Sequence, residues 1–227
     1  MKNLKQQVAK EIAKRVTNGM VLGIGSGSTV WLAIEEIGKR IAKEKMSITA
    51  LAAAKESAEL AASHGIKILP LLSDHEADWC FDGADEVDPG LNLIKGRWGA
   101  QTKEKILVRR SKKFIVIVDE SKIVKKLGAT MPVPIEVLPE GRSIAERELA
   151  LLGAKEIVFR KSKDNPKQPF LTEYGNYMLD VTFKVPLTAH LERAINSVQA
   201  VVENGLFFNV ASEVLVAGKD GVEVLTK

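Results

Sequence analysis

The chain has 227 residues, 45% of them hydrophobic and 27% charged, enough to bury a sizeable core as one large domain or one domain with a smaller companion. One cysteine, Cys80, excludes an internal disulfide framework and any multi-cysteine zinc site. The net charge of +4 arises from Lys and Arg scattered among Asp and Glu, so no nucleic-acid partner is expected, while the mild positive balance suits a small anionic substrate. The opening MKNLKQQVAKEIAKRV mixes charge with apolar residues at helical spacing and lacks the apolar segment and cleavage site of a secretory signal. No apolar run is long enough to span a bilayer, so no membrane partner is expected, and the single cysteine suits a reducing compartment, with the cytoplasm the expected location.

After the first helix, residues 20–25 form an apolar run ending in glycines, 26–29 a hydroxyl-rich loop and 30–41 a helix by apolar spacing. Residues 47–52 read as a second strand, 57–64 as a helix stopped by Gly65, and 66–72 and 77–81 as two more strands. Asp88, Pro89 and Gly90 make a turn, 102–110 a helix, 113–118 a strand and 121–127 a helix ended by Gly128. Repeated alternation of strand and helix with glycine-rich strand ends predicts an α/β fold with a doubly wound, mostly parallel sheet whose ligand site lies beyond the carboxyl ends of the strands.

The texture changes at Met131. Pro132, Pro134 and Pro139 bracket 135–138, which fits an edge strand or a domain crossing. Helix 143–152, strands 155–160 and 177–185, helix 188–196 and strand 198–203 then predict a two-layer α+β subdomain. The segments 213–217 and 222–225 return to the main body. The expected division is a main catalytic domain of 1–131 and 206–227 with a smaller lid of 132–205.

Three segments carry candidate chemistry. In Gly23-Ile-Gly-Ser-Gly-Ser-Thr29, glycines let the backbone approach an anion, the helix N-terminus points free amides at it, and Ser26, Ser28 and Thr29 add hydroxyls. The third glycine comes too early for a dinucleotide fingerprint and no Lys follows as in a Walker loop, so a small phosphate ester is the expected ligand. In Phe81-Asp-Gly-Ala-Asp-Glu-Val-Asp88, four carboxylates follow an apolar strand; they suit sugar hydroxyls, and close spacing raises their proton affinity for acid or base work. The calcium-loop spacing is absent, Gly83 and Ala84 leave room for a ligand, and no metal is expected. In Lys95-Gly-Arg-Trp-Gly-Ala-Gln-Thr-Lys-Glu104, Lys95 can neutralise an enolate or a phosphate, and Glu104 falls in a first helical turn where a carboxylate is favoured. His64, His75 and His190 have no ligand spacing and Cys80 sits in an apolar strand, so these are expected to be structural.

The chain resembles the ribose-5-phosphate isomerase A family nearly end to end. The blocks that carry the resemblance are GIGSGSTV at 23–30, FDGADEVDPGLNLIKG at 81–96, TKEKIL at 102–107, VDESK at 118–122 and MPVPIEVLP at 131–139, continued by TEYGNYMLDV and ENGLF. What the resemblance implies is interconversion of D-ribose 5-phosphate and D-ribulose 5-phosphate through an enediolate, without metal or organic cofactor. Glu104 would carry the proton between carbons 2 and 1, Lys95 and the Gly96 amide would stabilise the enediolate, and Asp82 and Asp85 would hold hydroxyls or assist ring opening. Ser26, Gly27, Ser28 and Thr29 would form part of the substrate loop, with Gly83, Ala84, Arg97, Trp98 and Lys122 as further substrate contacts. The implied fold is a Rossmann-like domain with a ferredoxin-like lid, assembled as a homodimer or homotetramer. Trp98, following Arg97, stands where the family usually carries a small residue, and Gln101 where it usually carries an apolar one. Two rival readings are a weakly active or non-catalytic sugar-phosphate-binding protein on the same fold and an acyl-coenzyme A transferase using a glutamyl intermediate.

Overall fold

The computed structural model of the protein describes residues 2–227. Along the chain run α1 (Lys2–Lys14), β1 (Val21–Ile24), α2 (Ser28–Glu44), β2 (Thr49–Ala52), α3 (Lys55–Ser63), β3 (Lys67–Leu69) and β4 (Trp79–Asp82). Then come β5 (Glu86–Val87), β6 (Leu93–Ile94), α4 (Gln101–Arg109), β7 (Phe114–Asp119), β8 (Val133–Val137), α5 (Arg142–Leu151) and β9 (Ala154–Phe159). The last are β10 (Tyr177–Phe183), α6 (Ala189–Asn196), β11 (Val201–Asn204), β12 (Leu206–Phe207), β13 (Glu213–Gly218) and β14 (Gly221–Thr226). These elements fall into two compact units: Met1–Ala84 with Lys103–Ile123 and Val210–Lys227, and Asp85–Thr102 with Val124–Asn209. Relative to the division expected from the sequence, the second unit also takes in 85–102, 124–131 and 206–209.

The first unit is built on a seven-stranded sheet ordered β14-β13-β7-β4-β1-β2-β3, parallel from β13 to β3 and closed on one edge by antiparallel β14. Covered strands of this kind are apolar throughout, and β4 and β7 are buried at every residue. In β1, Gly23 faces Cys80 of β4 in register, and a Cβ there would collide with the Cys80 side chain. Helix α2 buries Val30, Ala33, Ile34, Ile37 and Gly38, the three-and-four spacing of one helical face, and α1 buries Val8, Ala9 and Ile12 in the same cluster. Each such Val or Ile contributes about 1.5–3 kcal/mol relative to exposure. Gly38 leaves the space that the His64 ring fills, which gives this histidine a packing role.

In the second unit β11-β8-β10-β9 form a four-stranded antiparallel sheet, and β12-β6-β5 a small three-stranded one. Strand alternation decides its two faces. Val133, Ile135 and Val137 of β8 and Leu179 and Val181 of β10 pack with Ala145 and Leu149 of α5 and Leu191 and Ile195 of α6. The alternate residues Pro134, Glu136, Met178 and Asp180 belong to the opposite face, which receives the loop that contains Lys95.

Three expectations are corrected. The strand expected over 66–72 is only Lys67–Leu69, because Pro70 offers no amide and its carbonyl closes a turn with the Ser73 N–H. The helix expected over 121–127 is a single 3₁₀ turn, Glu120–Lys122. Downstream amides are claimed elsewhere: Val124 N–H donates to Val87 O, and the buried Glu86 carboxylate accepts from the N–H groups of Gly128, Thr130 and Met131. Lastly, β8 is not an edge strand but lies between β11 and β10 despite Pro134. A residue's N–H and C=O point to the same side of a strand, and Pro134 O accepts from Gly205 N–H at 2.7 Å, past the last β11 pair at Asn204. The missing donor of Pro134 therefore falls where the ladder has already ended.

Candidate active site

Strand order reverses at β1. From it the chain builds outward to β2 and β3, then returns to add β4, β7 and β13 on the other side. The loops leaving the carboxyl ends of β1 and β4 are therefore adjacent, and such a switch point is where open parallel sheets bind ligands. The structure brings Ser26 and Asp82 together there. Ser26 N–H donates to Asp82 Oδ1 at 3.0 Å, Gly83 N–H donates to the same oxygen at 2.7 Å, and Gly25 N–H donates to Phe81 O at 2.9 Å. A Cβ on Gly25 would overlap the Asp82 carboxyl group, so this glycine is required by the neighbour it touches. Gly27 begins α2 at φ 91°, with Ser28 and Thr29 in the first turn.

Helices of a parallel sheet start at the carboxyl ends of its strands, which sets the first turn of α4 at the same end. Glu104 lies in that turn, only 4% exposed, and Ser26 Oγ donates to its Oε1 at 2.7 Å. At the carboxyl end of β7, beside β4, the 3₁₀ turn carries half-buried Lys122, with Asp119 capping it through Ser121 N–H at 3.0 Å. Ala84 is half-buried and closes the segment after β4.

The remaining candidates, Asp85, Lys95, Gly96, Arg97 and Trp98, belong to the second unit. Lys95 is 3% exposed, its N–H donates to Gly205 O at 2.9 Å, and its ammonium lies 5.7 Å from the centroid of the Phe207 ring. Gly96 has φ +106°, and Arg97 N–H donates to Asp85 Oδ2 at 3.0 Å. Trp98 is 62% exposed, with the Lys163 ammonium 4.1 Å from its ring centroid. Gln101 is buried and donates to Met178 Sδ at 3.2 Å.

The four carboxylates of the 82–88 run are dispersed over separate partners. Asp82 holds Ser26 and Gly83, Asp85 holds Arg97, Glu86 holds the 128–131 segment, and Asp88 closes a turn through Gly90 and Asn92. Among the described residues, no group of three or more His, Cys, Asp or Glu is arranged to hold a metal ion, and no helix is long and apolar enough to cross a membrane.

Lys5 and Arg160 were not among the sequence candidates. Lys5 Nζ donates to Ser28 Oγ at 2.8 Å, and Arg160, the last residue of the strand expected over 155–160, binds Asp180 and the carbonyls of Gly96 and Arg97. Neither lies near its partners in sequence. Gly205 is signalled only by the ENGLF block; a Cβ on it would strike Lys95 O.

A family model described as ribose 5-phosphate isomerase A (phosphoriboisomerase A) matches residues 49–221. The chain belongs to that family. The ribose-5-phosphate isomerase A of Thermosynechococcus vestitus is 45% identical over 219 residues, covering 95% of this chain and 92% of that protein. The Methanocaldococcus jannaschii protein of the same name is 41% identical over 226 residues, covering 99% and 98%. A solved structure of ribose 5-phosphate isomerase A from Methanocaldococcus jannaschii superposes with a TM-score of 0.95 over 100% of this chain and 99% of that one. A D-ribose-5-phosphate isomerase solved in complex with phospho-erythronic acid, 37% identical, also gives 0.95 over the same shares. The mixed α/β architecture with a mostly parallel sheet and separate antiparallel sheets is thus that of the isomerase family.

Proposed function

We propose that Glu104 is the base with which this member of the ribose 5-phosphate isomerase A family interconverts D-ribose 5-phosphate and D-ribulose 5-phosphate, a step of the non-oxidative pentose phosphate pathway. The observation that carries this reading is the buried Glu104 carboxylate, oriented by Ser26 Oγ at the switch-point end of the parallel sheet. Glu104 takes the proton from carbon 2 of the open-chain aldose, leaving an enediolate, and returns it to carbon 1, while the hydroxyl proton passes from oxygen 2 to oxygen 1. Carbon 1 is thereby reduced from aldehyde to carbinol and carbon 2 oxidised from carbinol to ketone, so no external electron donor or acceptor enters and no cofactor or metal is invoked.

The Lys95 ammonium and the Gly96 amide stabilise charge on the enediolate oxygens, as preorganised donors do at a developing oxyanion. Asp82, Asp85, Gly83 and Ala84 take the sugar hydroxyls, and one of the two aspartates assists ring opening. Ser26, Gly27, Ser28 and Thr29 receive the substrate at the N-terminus of α2, with Lys5 bringing a cation to that loop. Arg97, Trp98 and Lys122 supply further contacts. The proposal extends to a catalytic region of 1–131 and 206–227 with a lid of 132–205, to a homodimer or homotetramer, and to a cytoplasmic location.

Phospho-erythronic acid, held by the solved relative, fits this chemistry. Its trigonal carboxylate resembles carbon 2 of the substrate as that carbon becomes trigonal and charge develops beside it, so this chain is expected to bind it. Incubation with ribose 5-phosphate in deuterium oxide tests the proposal. It requires ketose formation with solvent deuterium entering at the exchanging carbon. Saturable binding of the sugar phosphate without ketose would overturn it in favour of a binding protein.

A further inference from the structure

We propose that Arg160 is a positioning residue for the isomerisation, holding the peptide between Gly96 and Arg97 by its carbonyl while Asp85 holds it by its N–H. The inference rests on the isomerase reading and assigns a task to a residue outside the substrate contacts.

Arg160 Nη1 donates to Gly96 O at 3.0 Å and to Arg97 O at 3.1 Å. Its other edge is engaged by Asp180, with Nε donating to Oδ2 at 2.8 Å and Nη2 to Oδ1. The pair is shielded, the two side chains being 15% and 20% exposed, so solvent screens it little. On the far end of the same peptide, Arg97 N–H donates to Asp85 Oδ2 at 3.0 Å, and Gly99 N–H adds a second donor to Gly96 O at 3.0 Å.

The clamp sits where the backbone is least able to hold itself. Gly96 at φ +106° has no Cβ to limit rotation, so the peptide that follows it can flip at low steric cost. Fixing both ends of that peptide removes this freedom. On the other side, Lys95 N–H is held by Gly205 O. The Lys95–Gly96 peptide, whose N–H is proposed to meet the enediolate, is therefore bracketed by two anchored neighbours. Phe170 completes the grip: its N–H donates to Arg160 O at 3.0 Å, and its ring stands where a Cβ on Gly99 would be. Only a guanidinium can serve a carboxylate through two nitrogens and two carbonyls through a third; an ammonium cannot reproduce this fork.

The test measures kcat, KM, phospho-erythronate affinity and melting temperature for wild type, Arg160→Lys, Asp180→Asn and the exposed control Lys167→Ala. Arg160→Lys is expected to lower kcat at least tenfold with KM within threefold, and to weaken phospho-erythronate by the same factor. Asp180→Asn is expected to move both quantities in the same direction by less, and Lys167→Ala to move neither. Unchanged kcat and affinity in folded Arg160→Lys would overturn the inference, as would a kcat loss with wild-type affinity, the signature of fewer intact molecules. Should Arg160→Lys not fold, Asp180→Asn decides by the same criteria. A wild type that binds phospho-erythronate without isomerising overturns the functional reading alone, and the clamp is then judged on affinity. A wild type that does neither overturns both.

Discussion

Ser26 Oγ donates to Glu104 Oε1 at 2.7 Å, tying the loop after β1 to the first turn of α4 across 78 positions of sequence. A hydrogen bond to a charged group is worth about 1.5–3 kcal/mol, and each ~1.4 kcal/mol in a barrier is tenfold in rate. Ser26→Ala is therefore expected to lower kcat/KM roughly 10- to 100-fold with little change in melting temperature. Steady-state kinetics beside a thermal melt checks this, and wild-type kinetics would deny the hydroxyl an orienting role.

Gly25 is expected to tolerate no side chain. In Gly25→Ala the new methyl meets the Asp82 carboxyl group, which is itself held by the N–H groups of Ser26 and Gly83. Overpacking of this kind costs about 1–3 kcal/mol, and in a chain of this size each kcal/mol lowers the melting temperature by roughly 2–4 °C. Displacing Asp82 should also lower kcat/KM, so a variant with wild-type melting and wild-type kinetics would show that the fit is looser than the geometry states.

Much of this was legible in the sequence where the signal is local. The strand, loop and helix around Gly23 to Thr29, the turn at Asp88 to Gly90 and the helix bearing Glu104 each follow from residues within a few positions of one another. What was not legible depends on partners far away. No local signal shows that Val87 O takes the Val124 N–H inside the helix expected over 121–127, or that Glu86 draws in the amides of Gly128, Thr130 and Met131 just beyond it. Nor can a proline pattern reveal that the ladder beside Pro134 ends at Asn204, which is why an interior strand read as an edge. Nothing local marks Arg160 either, because Asp180, Gly96 and Arg97 are 20 to 64 positions away.

Glu86 provides a stability test outside the candidate site. Its carboxylate is fully buried and accepts from three backbone N–H groups and the Thr130 hydroxyl. Glu86→Ala strands those donors in the interior, at a cost of about 3 kcal/mol and roughly 6–12 °C in melting temperature. Calorimetry on the two proteins checks it; a melt within 2 °C of wild type, on the order of one kcal/mol or less, would deny Glu86 this role.

The Asp78–Lys112 pair adds a pH dependence of known sign. The Lys112 ammonium at 3.0 Å, and then the Val21 N–H at 3.0 Å, hold the Asp78 carboxyl below its ordinary range, while the same pair raises Lys112. A depressed carboxylate stabilises the fold above its unfolded pKa of about 3.9, and that contribution is lost as pH falls through the folded value. The raised lysine contributes below about 10.5 and loses its contribution above it. The melting-temperature deficit of Asp78→Asn should thus be present at neutral pH, close in strong acid, and shrink with added salt because the pair is exposed. A deficit independent of pH would contradict the assignment.

The most direct measurement is the rate of ribose 5-phosphate isomerisation by Glu104→Gln beside wild type. The amide keeps the volume of the side chain and an oxygen for Ser26 Oγ, but it cannot accept the carbon-bound proton. With Glu104 as the base, kcat falls about 10²–10⁴-fold while the melting temperature stays close to that of wild type. A folded Glu104→Gln protein turning over at the wild-type rate would contradict the assignment and place the proton transfer on another group.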